Sequence, residues 1–124
     1  MEFNNTQAIY LQIADYVCDK IQLKEWKEDE KIPSVRELAV MLEVNPNTVM
    51  RTFEYLQQQE IVYTKRGMGL YVAKDSAKKI KASRKQQFLT EELPLLFRKM
   101  NMLDIAPDEL QARFDEFKKN MDNH

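Results

Sequence analysis

Hydrophobic residues recur at helical spacing through the first half of the chain. In the first stretch they stand four residues apart, as one face of an α-helix requires, at Ile9, Ile13, Val17 and Ile21. The pattern predicts a helix over residues 6–23, for which Thr6 is a suitable N-cap. A charged connector follows, and its aromatic residue Trp26 is expected to anchor the connector to the core.

A second, shorter helix is marked at its start by a capping box. Glu37 follows Ser34 by three residues, so each side chain can bond the backbone N–H of the other residue. The helix should end near Glu43. Its apolar face consists of Leu38, Ala39 and Leu42.

A third helix is predicted after the short polar break Val-Asn-Pro-Asn-Thr at residues 44–48. Asn45 is a good N-cap, and Pro46 stands at the first helical position, where proline is tolerated best. The inner stripe of this helix is Val49, Phe53 and Leu56. Two short helices separated by such a tight break indicate a helix-turn-helix.

After the third helix the pattern changes from helical to alternating. Residues 61–73 predict two strands joined by a turn. Both glycines of the chain, Gly67 and Gly69, lie in that turn, directly after Lys65 and Arg66. Three helices followed by a β-hairpin predict a winged helix-turn-helix domain over residues 1–75.

Residues 76–124 predict two further helices. Pro94 lies inside the first and should kink or split it, and Pro107 opens the second. Two helices cannot bury this much apolar surface alone, so we expect them to pack against a second copy of the chain. The residues expected at that interface are Phe88, Leu89, Leu93, Leu96, Phe97, Met100, Leu110, Phe114, Phe117 and Met121.

The expected fold class is therefore mostly α with a small β-hairpin: a winged helix-turn-helix followed by a two-helix C-terminal dimerisation extension. A rival use of the extension is a pocket for a small molecule between its helices. The extension is small for such a cavity and shows no His, Cys or acidic cluster facing inward. The sequence identifies no small-molecule effector.

Composition and charge limit the kind of partner. The chain has 124 residues with a net charge of −1, and residues 1–75 carry 9 Lys and Arg against 12 Asp and Glu. A surface for nucleic acid must therefore be a local patch. No apolar run approaches the roughly 20 residues that cross a bilayer, and a single cysteine, Cys18, suits a reducing compartment. We expect a cytoplasmic protein with no membrane partner.

Catalysis and metal binding are not expected. One His and one Cys leave no pair of nucleophile and base and no set of zinc ligands, and no glycine-rich phosphate loop is present. The acidic run at residues 28–30 has the pattern of a solvated surface segment. The sequence predicts no enzyme, no cofactor and no metal site.

Four segments in register resemble the DNA-binding domain of GntR-type bacterial transcription regulators: YLQIAD, IPSVRELA, VNPNTVMRTFEYL and YTKRGMGLYVA. The start of the third helix and the short extension are most similar to the YtrA-type subgroup. This resemblance implies genes of an ABC-type transporter as targets. The family usually has glycines where Lys24, Asp29 and Glu60 stand here, so strained or altered turns are expected there. Many family members have an arginine where Pro46 stands, so the phosphate or base contact of that arginine is not expected here.

The resemblance implies double-stranded DNA as partner, with the third helix in the major groove and the hairpin as a wing. Asn can pair with adenine and Arg with guanine, and free N–H groups at the helix start would bind phosphate. The expected DNA-binding residues are Arg36, Asn45, Asn47, Thr48, Met50, Arg51, Lys65, Arg66, Gly67 and Gly69. Roles without DNA contact remain open for some of these residues. Asn45 could act only as a helix cap and Arg36 as an ion-pair partner, while Arg51 and the Lys65–Arg66 pair could be solvated side chains.

The sequence thus predicts a regulator, acting as a repressor, that binds a palindromic operator as a homodimer. Few cations per copy mean that one copy binds weakly, which favours the dimer. The alternative is a winged-helix module that grips a partner protein through the third helix and the wing, a role that the near-neutral charge would suit.

Overall fold

The computed structural model describes residues 1–123 of the chain. Its elements in chain order are α1 (Ile9–Gln22), α2 (Val35–Leu42), α3 (Pro46–Gln58), β1 (Val62–Lys65), β2 (Gly69–Val72), α4 (Ser76–Gln87), a π-helical turn (Phe88–Glu92), α5 (Leu93–Met102) and α6 (Pro107–Asp122). The predicted mostly helical class with one small hairpin is confirmed.

The chain forms two compact units, Met1–Ser83 and a second that begins at Arg84. The boundary between the units lies within α4. The first unit holds the hydrophobic core, to which α1, α2, α3 and both strands contribute buried residues. A functional division into residues 1–75 and 76–124 stays a prediction, and its last residue, His124, lies outside the described residues.

Helix α1 begins at Ile9 with Ala8 as its N-cap, so the prediction of Thr6 as the cap is wrong. The hydroxyl of Thr6 instead donates to Oδ1 of Asn4, 2.7 Å away. The segment before α1 is held by the buried side chain of Gln12, whose Nε2 donates to the carbonyl oxygens of Asn4 (2.9 Å) and Gln7 (2.7 Å). Helix α1 therefore starts without a capping side chain, and these two local hydrogen bonds hold the segment in front of it.

Helix α2 has the predicted capping box. The N–H of Glu37 donates to Oγ of Ser34 at 3.1 Å, and the N–H of Ser34 donates to Oε1 of Glu37 at 3.2 Å. The backbone N–H of Ser34 lowers the pKa of Glu37 most, and the side chain of Ser34 lowers it further, because hydrogen bonds to the carboxylate favour its ionised form. The helix ends, as predicted, at Glu43, which has a left-handed conformation.

Helix α3 packs its predicted stripe into the core. Val49, Phe53 and Leu56 are all buried, and so is Thr52 beside them. The hydroxyl of Thr52 donates to the carbonyl oxygen of Tyr10 at 2.7 Å and so ties α3 to α1. Packing and this buried hydrogen bond together orient the helix on the core.

The hairpin is antiparallel, with Val62 opposite Val72 and Lys65 opposite Gly69. The connector between α1 and α2 runs along the edge of β2 that β1 does not occupy. The N–H of Ile32 donates to the carbonyl oxygen of Leu70 at 2.9 Å, and residues 29 and 30 also bond to Val72. Backbone pairing on both edges holds β2, so the hairpin is fixed to the core at its base.

Proline divides the long helix of the second unit as predicted. Pro94 stands in the first turn of α5, directly after the π-helical turn. Proline has no N–H to donate to the preceding turn, and its ring excludes the carbonyl four residues earlier. The helix widens by one residue over Phe88–Glu92 and restarts as α5. Pro107 opens α6, also as predicted.

The chain turns through residues with positive φ that are not glycine. Lys24 (67°), Asp29 (63°) and Glu60 (60°), which stand where the family usually has glycines, all have left-handed backbones. The turns thus keep the geometry that glycine would adopt. A side chain there costs about 1–2 kcal/mol because Cβ crowds the following carbonyl oxygen.

We predict that Glu60→Gly raises the free energy of unfolding by about 0.5–1 kcal/mol, because it removes that crowding. Lys79 Nζ keeps its 3.0 Å contact with the carbonyl oxygen of Glu60, and the exposed 3.9 Å ion pair with the Glu60 carboxylate that is lost contributes little. Gln59→Gly is the matched control: its φ is −81°, so glycine there only adds freedom to the unfolded chain. Urea unfolding measures both. A destabilised Glu60→Gly, or equal effects at the two positions, would contradict the prediction.

Glu37 should make stability depend on pH. Its pKa is lower in the folded than in the unfolded chain, so its contribution is fully present above the ordinary carboxyl pKa and is lost as pH falls through the folded pKa. Glu37→Gln keeps the acceptor oxygen without the charge. The stability difference between wild type and Glu37→Gln should be largest at neutral pH and shrink as pH falls below the ordinary carboxyl pKa. A difference that urea unfolding finds constant across this range refutes it.

Candidate nucleic-acid interface

The face of α3 opposite the core is exposed and polar. Asn47, Met50 and Arg51 all lie on it, while Thr48 is half-buried at its side. Because Val49, Phe53 and Leu56 occupy the core, this face is the part of α3 that can meet a partner. The structure brings together the predicted residues of the third helix, and their contact with DNA stays a proposal.

The first turn of α3 differs from the prediction in one respect. Oδ1 of Asn45 accepts the N–H of Asn47 at 2.8 Å, so the capping role of Asn45 is confirmed. The N–H groups of Thr48 and Val49 both donate to the carbonyl oxygen of Asn45, and Pro46 has none. The expected free N–H groups at this helix start are therefore absent. The side chain and the carbonyl oxygen of Asn45 accept those that exist, and proline has none.

Arg36 lies exposed in the first turn of α2. Within residues 1–123 its guanidinium forms no ion pair, so the alternative role as partner of a nearby Glu is not what the structure shows. An exposed, unpaired guanidinium keeps its five N–H donors available for a phosphate or a base.

Arg51 is packed on an aromatic ring rather than simply solvated. Its Cζ lies 4.0 Å from the ring centroid of Tyr10, at the start of α1. An open groove runs beside this pair, lined by Ala8, Ile9, Tyr10, Asn47, Thr48 and Arg51. The exposed face of α3 thus continues onto the first turn of α1, an extension that the sequence pattern did not predict.

The tip of the hairpin carries the predicted cations. Lys65 and Arg66 are exposed, and the turn closes when the N–H of Met68 donates to the carbonyl oxygen of Lys65 at 2.9 Å. Gly67 (φ 76°) and Gly69 (φ 116°) have positive φ, which explains why both glycines of the chain are here. The wing is therefore a tight turn with its backbone open to a partner.

Stacked tyrosines support the wing. The rings of Tyr63 and Tyr71 stack with centroids 5.8 Å apart, and Nζ of Lys65 lies 4.3 Å from the centroid of Tyr71. The hydroxyl of Tyr63 donates to Oδ1 of Asp29 at 3.0 Å. Burial raises the pKa of Tyr63, and the bond to the Asp29 carboxylate raises it further. The hydroxyl thus stays protonated and ties the wing to the connector.

Lys31 is a neighbour of the wing that sequence reasoning missed. It faces Tyr71 across the edge of β2, and its stem covers Gly69, where an added Cβ would lie 3.0 Å from Cε of Lys31. Glycine is needed at this position both for its φ and for this close approach. No local pattern signals the pairing, because connector and wing are far apart in sequence.

The second unit exposes a large apolar surface. Of the ten residues predicted for dimerisation, Leu93 and Leu110 are half-buried and Met100 is buried, at 7% exposure. Met100 packs within its own chain and offers little surface to a second copy. The exposed members are Phe88, Leu89, Leu96, Phe97, Phe114, Phe117 and Met121.

The described part of the chain shows neither a metal-binding cluster nor a membrane-spanning helix. Residues 1–123 contain no group of three or more His, Cys, Asp or Glu placed to hold a metal ion. Over the same residues, no helix combines the length and the apolar character that crossing a membrane requires.

The gntR family model of bacterial regulatory proteins matches residues 9–72, which span α1 to β2. Among curated relatives, the uncharacterized HTH-type transcriptional regulator YhcF of Bacillus subtilis is 35% identical over 109 residues, 88% of each chain. The HTH-type transcriptional repressor YtrA of the same organism is 35% identical over 92 residues, 74% of this chain and 70% of YtrA.

Solved structures agree with this likeness. A transcriptional regulator assigned to the GntR family, from Bacteroides thetaiotaomicron, is 48% identical with a TM-score of 0.80, covering 92% of this chain and 99% of its own. AraR(DBD) in complex with operator ORR3 is 25% identical with a TM-score of 0.54, covering 59% of this chain and 88% of the AraR chain. The resemblance carried by the four sequence motifs is confirmed.

Two substitutions should separate the roles of α3 and the wing. Asn47→Ala should weaken binding to the preferred sequence by roughly 5- to 150-fold and leave the salt dependence unchanged, because a base contact is lost. Arg66→Ala should weaken binding to every sequence and lower the log–log salt slope by about 1, because a phosphate contact is lost. The measurement is fluorescence anisotropy on duplexes selected from a random library.

Lys81→Ala is the control, since it removes an equal charge from an exposed position of α4. Equal losses in Arg66→Ala and Lys81→Ala, which each remove one positive charge, would show that only total charge matters at the wing. Unchanged affinity in Asn47→Ala and Arg66→Ala would remove this surface from DNA binding.

Proposed function

Because the chain belongs to the GntR family of bacterial regulatory proteins and is a DNA-binding transcription regulator, we propose that it binds a palindromic operator as a homodimer and represses transcription. Regulators of this family are not enzymes, and neither is this chain. Membership of this family supports regulation through DNA over the alternative, a winged-helix module that binds only a partner protein. The cytoplasm, where a bacterial chromosome lies, is the proposed location.

The observation that carries the proposed DNA contact is the exposed face of α3. A helix whose other face is buried can enter the major groove only with this face, so Asn47 and Arg51 meet base edges and Met50 meets a thymine methyl group. Asn45 and Thr48 at the start of the helix lie nearest the phosphates. AraR(DBD), which shares this fold, is in complex with an operator.

Cations from three other segments complete the proposed contact. Arg36 of α2 and the wing residues Lys65 and Arg66 bind phosphates, and Gly67 and Gly69 let the backbone approach the minor groove or a phosphate. We add Lys31 to this set because its side chain lies against Gly69 of the wing. The cationic side chains of one copy would neutralise about 3–4 phosphates, so a single copy binds weakly.

The exposed apolar residues of the second unit support a homodimer. Phe97, Phe114 and Phe117 are each more than half exposed, and monomeric proteins rarely leave such a surface in water. A two-fold axis would bury the same residues of both copies and present two α3 helices to a palindrome. Met100 is left out of this interface because its own chain already covers it.

Repression is proposed from the likeness to YtrA, which is named a transcriptional repressor. A dimer bound over a promoter excludes polymerase sterically, so no further activity is needed. The YtrA-type resemblance of the motifs also supports transporter genes as targets.

We expect wild type to sediment as a dimer and to bind DNA from upstream of its own gene far better than random DNA. Affinity should fall steeply with salt, as expected for roughly 6–8 neutralised phosphates. A reporter gene behind that DNA should be less active when the protein is present. Binding no better than to random DNA would place the operator elsewhere, and a reporter activated by the protein would refute repression.

Phe97→Asp tests the dimer in the same assays. Phe97 is 55% exposed, so the change should leave each copy folded but put charge into the interface. Sedimentation should show monomers, and affinity for the palindrome should drop by roughly 100-fold or more while affinity for a half-site stays. Leu23→Asp, an exposed apolar position of the first unit, should remain dimeric. A dimeric Phe97→Asp would contradict the proposed interface.

A further inference from the structure

The guanidinium of Arg51 lies over the ring of Tyr10, with Cζ 4.0 Å from the ring centroid. Arg51 is exposed on the outward face of α3, and Tyr10 is half-buried at the start of α1. A cation over an aromatic face at this distance is attracted by the ring's electron density and stacks on its surface. The pair joins a residue of the proposed interface to one outside it.

Tyr10 is itself held by α3 from two sides. Its carbonyl oxygen accepts the hydroxyl of Thr52, the residue next to Arg51 in sequence. Its ring meets the ring of Tyr55, one turn after Arg51, edge to face, with centroids 6.2 Å apart and planes at 81°. The hydrogen bond from Thr52 holds the backbone of Tyr10 against α3, and the contact with Tyr55 restricts the ring itself. The ring is thus held in place beside Arg51.

The contact with Tyr10 leaves the hydrogen-bonding capacity of Arg51 unused. A guanidinium carries five N–H donors, and an aromatic ring offers them no oxygen or nitrogen acceptor. In the described residues these donors have neither an acceptor nor an ion-pair partner. They lie in the groove that Asn47 and Thr48 also line.

We propose that Tyr10 is a positioning residue for DNA binding and acts through Arg51. A free arginine loses much rotamer freedom when it binds, and this loss lowers affinity. Stacking on Tyr10 restricts Arg51 before DNA arrives, so less freedom is lost on binding. The proposal rests on the proposed contact of Arg51 with DNA and adds to it a residue of α1.

A double-mutant cycle tests the coupling, read by anisotropy on the duplex selected from a random library. Tyr10→Leu keeps an apolar side chain but removes the ring, and should weaken binding about 2- to 5-fold. In an Arg51→Ala background the same change should have no further effect. Tyr10→Phe keeps the ring and should retain binding. In an Asn47→Ala background Tyr10→Leu should still cost its full 2- to 5-fold, since Tyr10 is proposed to act through Arg51.

Several results would overturn the proposal. Additive losses from Tyr10→Leu and Arg51→Ala would show that Tyr10 acts independently. A loss in Tyr10→Phe as large as in Tyr10→Leu would assign the effect to the hydroxyl. Tighter binding by Tyr10→Leu would mean that the ring withholds Arg51 from DNA. If Arg51→Ala changes nothing while Asn47→Ala weakens binding, the inference fails and the proposed function stands; if neither weakens binding, the proposed interface fails.

A second measurement uses the wild-type protein and does not depend on a variant that folds. ¹⁵N relaxation of the free protein reports the mobility of each arginine Nε–H. Arg51 should be clearly more restricted than Arg36 and Arg66, which have no aromatic support in the structure. Equal mobility of the three side chains would refute the positioning role.

Discussion

The burial of one face of α3 is the constraint on which the rest of the first unit depends. Val49, Phe53 and Leu56 fill the core, and Thr52 adds a hydrogen bond to α1 in the same buried layer. Apolar burial along one side and this hydrogen bond together resist rotation of the helix about its axis and sliding along it. Its polar face, with Arg51, therefore points away from the core in a fixed orientation, as a helix that reads a groove must.

The turns between elements show how the chain manages with two glycines. Left-handed backbones occur at Lys24, Asp29, Glu43, Glu60, Asp75 and Asp104, and most of these residues are acidic. Asp tolerates this region better than Glu, since its short side chain can bond the local backbone. The strain is distributed over several turns and is offset by the burial that those turns make geometrically feasible. The glycines themselves are kept for the wing, where a backbone must be approached closely.

The candidate interface shows how a chain of net charge −1 can offer a basic surface. Its cations come from the connector, α2, α3 and the wing, and only Lys65 and Arg66 are neighbours in sequence. No run of basic residues marks them, because folding rather than sequence adjacency collects them. The helix-turn-helix and wing positions could be predicted from caps, stripes and turn residues. The aromatic supports under Arg51 and Lys65 could not, since each joins separate elements.

By itself the sequence determined what depends on neighbours within a turn or two: the faces of the helices, the capping box, the breaks at proline and the hairpin with its glycines. Those signals are local because helix and strand periods are local. Only the tertiary structure decided which distant groups meet. It brings the side chain of Lys31 against Gly69 and the guanidinium of Arg51 over the ring of Tyr10. Such contacts follow from packing whole elements together, and no periodicity along the chain encodes them.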